Sequence, residues 1–325
     1  SLTAADLDPF YATNYGINDG FDRTQTIEDE VSDFQGWTKT ITSANLTIEA
    51  ISGSADYTIN GIAYMSDGSS GFWEEGVIVT NEGGLWKFKG NGYKSEIDLE
   101  ANTDRWIKAD TTVQTESGFD IWIEDVGNLG LQSAKVTGAG LPAAGITLSK
   151  PANEPVELRL DTQYQYVPQI PTDGWNFYVM SDAAIGSIPD NSIYTIEVYD
   201  ANNALIETRT RKISKRPFMR SEVTDGHFPT IGGITSHNIS AANIGGTLSF
   251  TYAKPTAFLT AWLNANLNFW DFSGNSAWYD TDLLLNQSSG SIISGAPSWT
   301  STQGQFSISA EDEFRRGVSI HWMFQ

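Results

Sequence analysis

The sequence predicts a mainly β protein: a small N-terminal α+β domain over residues 1–107, then two antiparallel β-sandwich domains over 108–216 and 217–325. Three observations carry this prediction. Apolar and polar residues alternate with period two from Thr40 onward. Turn residues recur at roughly 8–12-residue intervals. Helical periodicity is confined to the first ~35 residues. A chain of 325 residues fits two or three domains, and 11 Trp among 12% aromatics supply ample apolar surface for their cores.

In the helical start, Ile27, Val31 and Phe34 fall at i, i+4 and i+7, with Thr26 and Asp29 as the expected capping box. The GINDG stretch, Gly16 to Gly20, is a turn. "TITSANLTIEAISG" and "ADYTINGIAYMSDG" then alternate as strands. "GFWEEGVIVT" and "LWKFKGN" flank an NEGG turn and form a hairpin. Trp86 and Phe88 share one face of the last strand and Lys87 and Lys89 the other, which predicts aromatics in the core and lysines in water.

Beyond Trp106, "TTVQTESGFDIWIEDVG", "SAKVTGAGLPAAGITLSK", "PVELRLDTQYQYV" and "GWNFYVM" are short strands between turns. "IPDNSIYTIEVYDANNALIETRTRKIS" is a hairpin around Asp200–Asn203. Pro217 and the charges of "SKRPFMRSEVTDG" mark the break before a second set: "GGTLSFTYAKP", "TAWLNANLNFWDF", "SAWYDTDLLLN", "GQFSISA" and "GVSIHWMFQ".

A net charge of −21 and a pI near 4.3 disfavour nucleic acid and anionic membrane surfaces as partners. The absence of cysteine excludes disulfides, thiol nucleophiles, cysteine zinc sites and Fe–S clusters. No apolar run reaches the ~18 residues of a membrane-spanning helix. The chain opens at Ser1 with the polar SLTAADLDP, the pattern of a chain trimmed behind an export signal or a lipidated cysteine. The expectation is an exported protein, at the cell surface, outer-membrane-anchored or periplasmic.

"NDGFDRTQTIEDEVSDF", followed by paired strands closing on "GGLWKFKGN", resembles the cone-shaped fold of the polyketide-cyclase and nuclear-transport-factor-like superfamily, in the version of exported bacterial lipoproteins. Gly84, Trp86, Lys87, Gly90 and Asn91 carry the match over the first ~105 residues. The resemblance implies a shallow cone with a small-molecule cavity, and Asp22, Asp56 and Tyr15 as its pocket groups. No histidine precedes His227, so the family's Asp/His arrangement is missing. The remaining ~220 residues resemble immunoglobulin or fibronectin type III-like modules in strand rhythm.

Catalytic patterns are sparse. A Ser–His–Asp set needs a base beside the serine, yet only three histidines exist, no GxSxG elbow is present, and His321 alternates with Trp322 on a terminal strand. His227, His237 and Asp225 lack the spacing of a helical zinc motif. Glu74 and Glu75 point oppositely along a strand, so they make no glycosidase dyad; Glu311–Asp312–Glu313 is the other acidic run. The oxygen-rich turns "DLDP", "INDGFD", "YDANN", "WDFSGN" and "YDTD" leave Ca²⁺ as the one ion to consider, although hairpins use the same residues without metal. No other cofactor is expected.

Two features suggest ligand binding. Aromatic faces stack on sugars while Asp and Asn take hydroxyls, which singles out Trp73, Trp86, Trp270, Asp271, Asn275, Trp278 and Tyr279. Six of the 19 basic residues lie between Arg209 and Arg220, and Arg209 and Arg211 share a strand face. The simplest reading pairs them with acidic neighbours, at a sheet edge or between domains, and the sharper one has them bind a sulfated or carboxylated glycan. The expected function is non-catalytic binding or adhesion at the cell envelope, with a glycan, small ligand or surface protein as partner. The alternatives are a secreted polysaccharide hydrolase and a structural subunit of a surface assembly.

Overall fold

Period-two alternation becomes strand nearly everywhere it occurs, giving a mainly β structure, 53% strand against 9% helix, with sandwich-type sheets. The computed structural model describes residues 2–34, 39–152, 156–165, 176–234, 246–270, 276–295 and 303–324; the side chains of residues 34, 72–76 and 324 fall outside that description. The helices are α1 (Ala4–Leu7), α2 (Arg23–Phe34) and α3 (Asp182–Gly186). Asp22, rather than Thr26, caps α2. Its carboxylate accepts from the Thr24 and Gln25 amides at 2.8 and 2.9 Å, and Gln25 Oε1 accepts from the Asp22 amide at 2.9 Å. This reciprocal pair satisfies amides that the helix's first turn leaves without partners.

Strands β1 (Ile41–Ala50), β2 (Tyr57–Met65), β3 (Ser70–Glu82) and β4 (Leu85–Phe88) form an antiparallel meander in that order. The expected inward face of β4 is overturned. Leu85, Trp86 and Phe88 are 64%, 53% and 42% exposed. The strand is a sheet edge whose aromatic face is only partly covered, by Tyr11 against Phe88 and by Tyr57 edge-on to Trp86. Its lysines turn to carboxylates, Lys87 to Glu82 at 3.3 Å and Lys89 to Asp56 at 2.5 Å.

A 12-stranded sheet organises the rest. Its first part comprises β5 (Glu96–Ile107), β6 (Val113–Glu124), β7 (Leu131–Thr137), β8 (Ile146–Ser149), β9 (Glu157–Leu160), β10 (Phe177–Val179), β11 (Ser192–Asp200) and β12 (Leu205–Ile213). Residues of one face, among them Ile97, Leu99, Phe119, Ile121, Tyr194 and Ile196, close on a single buried core. The hairpin expected at Asp200–Asn203 joins β11 and β12; Asp200 accepts from the Asn202 and Ala204 amides.

The second part is a two-layer sandwich of β13 (Thr230–Gly232), β14 (Thr247–Ala253), β15 (Thr260–Trp270), β16 (Ser276–Asp282), β17 (Ser289–Ile293), β18 (Gln303–Asp312) and β19 (Arg316–Phe324). The three-stranded layer β13-β14-β17 packs Phe250, Tyr252 and Ile292 against Leu263, Leu267, Phe269 and Phe306 of the opposing layer. On β15 those apolar residues alternate with Asn264, Asn266 and Asn268, which turn to the sheet's other face.

β19 pairs in parallel with β5, from Arg316 opposite Ala101 to Trp322 opposite Ile107. That pairing makes the two parts one sheet, and β5 packs Ile97 to Ala101 on the first core and Ile107 on the second. Residues 107 and 108 fall at the end of β5, and residues 216 and 217 between β12 and β13.

Candidate functional site

Three parts of the chain meet at one cleft of about 610 Å³: β1 and β2 on one side, β5 and β12 beneath, and the turn between β18 and β19 at the end. Register explains who faces it. Arg209 and Arg211 project from the same face of β12, and that edge strand runs close to the start of β5 without a backbone ladder between them. The two guanidiniums bridge this gap. Arg209 donates to the Ser95 carbonyl at 2.7 Å and pairs with Asp19 at 2.6 Å, and its guanidinium lies 4.0 Å over the Tyr93 ring. Arg211 donates to the Ile97 carbonyl.

Arg209 is thereby 2% exposed and outside the cleft lining, while Arg211 forms part of the wall beside Lys212, Lys215 and Arg315. Burial lowers the Arg211 guanidinium to about 10, so it keeps its charge at neutral pH. Lys215 pairs with Asp190 and lies 5.4 Å over the Phe314 ring. The carboxylates of the cleft are Glu49 of β1 and Asp98 and Glu100, which share a face of β5. Arg315 holds the latter two, at 4.0 Å and 3.0 Å. Burial, then the charges of Asp98 and Glu311, push the Glu100 carboxyl well above the usual carboxylate range, and Arg315 opposes the shift. Acidification therefore makes the cleft more positive.

Asp98, Glu100 and Arg315 were not among the residues singled out from the sequence. The alternation in "EIDLEA" places Asp98 and Glu100 on one strand face, but nothing local brings Arg315 to them from the far end of the chain.

The aromatic candidates stand on separate elements. Trp270 is 6% exposed, packs with Trp106, Phe177 and Met323, and its indole N–H donates to Gln303 at 2.6 Å. Trp278, on β16, is 64% exposed, directly opposite Asn268. Tyr279 points to the other face and donates to the Gly295 carbonyl at 3.1 Å. Trp86 stands on β4. Trp73 lies on β3 with its side chain outside the description, and Asp271 and Asn275 lie outside the described residues.

Among the described residues no group of three or more His, Asp or Glu converges to hold a metal ion. Among the described residues, five carboxylates of the oxygen-rich turns are used on protein groups. Asp8 pairs with Arg23, Asp19 with Arg209 and Asp282 with Lys39, while Asp22 and Asp200 accept backbone amides. Asp225 pairs with Arg105, His227 Nδ1 accepts from the Thr224 amide, and His237 lies outside the described residues. No described helix is long and apolar enough to cross a membrane.

No protein-family description matches the chain, and no curated protein does. Distant structural neighbours are bacterial adhesins. One is from a study of host cell surface retention of a 1.5-MDa bacterial ice-binding adhesin, at 12% identity and a TM-score of 0.22, with 87% of this chain and 97% of that one covered. A tetra-tandem repeat from the extending region of a large adhesion protein is 12% identical at a TM-score of 0.19, covering 83% of this chain and 57% of that one. A Ca²⁺-stabilized adhesin with which an Antarctic bacterium reaches out and binds ice is 11% identical at a TM-score of 0.22, covering 87% and 74%. A likeness at this level supports no inference about what this chain does.

Proposed function

We propose that this protein is a non-catalytic binding protein of the adhesion type, exported to the cell envelope and lipid-anchored there, and that its cleft takes an acidic saccharide. One observation carries the reading: Arg211, Lys212, Lys215 and Arg315 line a single cleft of a chain whose net charge is −21. Clustered cations of this kind favour carboxylate or sulfate groups, and guanidiniums accept them with two parallel hydrogen bonds. Asp98 and Glu100 share the cleft as the carboxylate pair a hydrolase would need, but both are engaged by Arg315.

A thermal-shift screen tests the reading. The intact protein is heated with oligogalacturonate, a heparin hexasaccharide and cellohexaose. A ligand at ~100 times its Kd stabilises the fold by about 2.7 kcal/mol, a rise of a few degrees. The two acidic sugars should raise Tm and cellohexaose should not. Shifts with all three, or with none, would end the acidic-saccharide reading.

A second reading, a structural subunit of a surface assembly, is favoured by β1. This ten-residue sheet edge is exposed at every position, with Ile41, Leu46 and Ile48 open to solvent and no Lys, Arg or Pro to discourage pairing. Concentration-dependent association in sedimentation, abolished by Ile48→Lys, is what that reading predicts.

A further inference from the structure

We propose that the β5–β19 pair is a mechanical clamp, and that tension between the start of β5 and the C-terminal end of β19 is held by this pair before the chain between them is drawn out. The proposal rests on topology and is independent of what the cleft binds.

The two strands are parallel and hydrogen-bonded over seven consecutive residue pairs. Tension applied before Glu96 enters β5 at its N-terminal end, and tension applied after Phe324 enters β19 at its C-terminal end. In a parallel pair these are opposite ends, so the strands are pulled past one another in shear. All the inter-strand bonds then load together, and none opens until the whole ladder slips. Had the pair been antiparallel, the same tension would act at one end and open the bonds singly. Residues 108–315, which hold β6 through β18, leave and return to this pair, so their backbone is not drawn out until the pair parts, although β6, β12 and β18 brace the two strands from the side.

Side chains resist the same sliding motion. Val318 and Thr103, paired in register, are both fully buried. On the opposite face the His321 ring stacks on Trp106 at 5.3 Å and 12°. At the lower end Arg315, just before β19, binds Glu100 of β5 at 3.0 Å. Gly317 fits so closely that a Cβ there would meet Asn102 Oδ1 at 2.5 Å, which leaves little freedom to change register.

The chain has no cysteine, so pulling handles can be placed one by one. Single-molecule force spectroscopy on the full chain compares two pairs of handles. The first joins Lys94→Cys to a cysteine appended after Gln325 and loads β5 and β19 in shear. The second joins Asp110→Cys, in the exposed turn after β5, to the same appended cysteine and peels the pair from its upper end. At equal loading rate the first event in shear should need about twofold more force or higher, because its bonds share the load instead of breaking in turn. No extension from residues 108–315 should precede that event. Equal forces in the two geometries, or release of residues 108–315 before the pair parts, would overturn the clamp.

Discussion

Arg209 shows how much one side chain holds in this fold. It ties β12 to the carbonyl of Ser95 and the N-terminal part to Asp19, from a position almost without solvent. Arg209→Ala would strand a partly buried carboxylate and a carbonyl, so a loss of about 3 kcal/mol is expected in denaturant titration. Glu96 acts in the opposite sense. Desolvation and the facing Glu124 push its carboxyl up to about 7. The unfolded chain's carboxyl titrates near 4.3, so the folded state binds more protons between those values, and stability falls as pH rises through that window. The side chain keeps solvent contact, and screening reduces the effect to about 1 kcal/mol. Glu96→Gln should therefore flatten the Tm profile between roughly pH 5 and 7.5; identical profiles for both proteins would refute the assignment.

At the scale of elements, the strands and the tight hairpins were legible and the long-range partners were not. Alternation in "LNANLNFW" predicts which β15 residues face the core, and Leu263, Leu267 and Phe269 do. The DANN hairpin closes as its residues require. Alternation cannot say which of two faces is covered, and β4 turned out with its aromatics open because little packs above that sheet edge. The cap of α2 slipped from Thr26 to Asp22 because "DRTQ" offers an equally good reciprocal pair one turn earlier. The β5–β19 pairing joins residues more than 200 apart and leaves no local trace. Its packing is nonetheless sharp enough to test: Gly317→Val must push into Asn102 and should cost about 1–3 kcal/mol, read by thermal or chemical unfolding. The acidic turns make a second element-scale prediction. Asp8, Asp19, Asp22, Asp200 and Asp282 already serve arginines, a lysine and backbone amides, so EDTA and millimolar Ca²⁺ should give the same Tm as far as these turns decide it.

For the whole molecule, the candidate site belongs to no single stretch of chain. Arg211 and Lys212 come from one strand, Glu100 from another, Arg315 from a turn near the C-terminal end, and Thr47 and Asn60 from the small meander. The basic run from Arg209 to Arg220 was visible in the sequence, but its division of labour was not: Arg209 is internal bracing, Arg216 and Arg220 pair with Glu222 and Glu116, and Lys212 and Lys215 border the cleft. Calorimetric titration of an oligogalacturonate into the wild type and into the Lys212→Glu/Lys215→Glu variant decides whether this cleft holds an acidic saccharide. Lys215→Glu also gives up the pair with Asp190, so Tm should fall by a few degrees and the titration is run well below it. Binding by the wild type and about tenfold weaker binding by the variant are expected, since two reversed rim charges together cost on the order of 1–2 kcal/mol. Equal affinity in the two proteins, or no binding by the wild type, would contradict the acidic-saccharide reading.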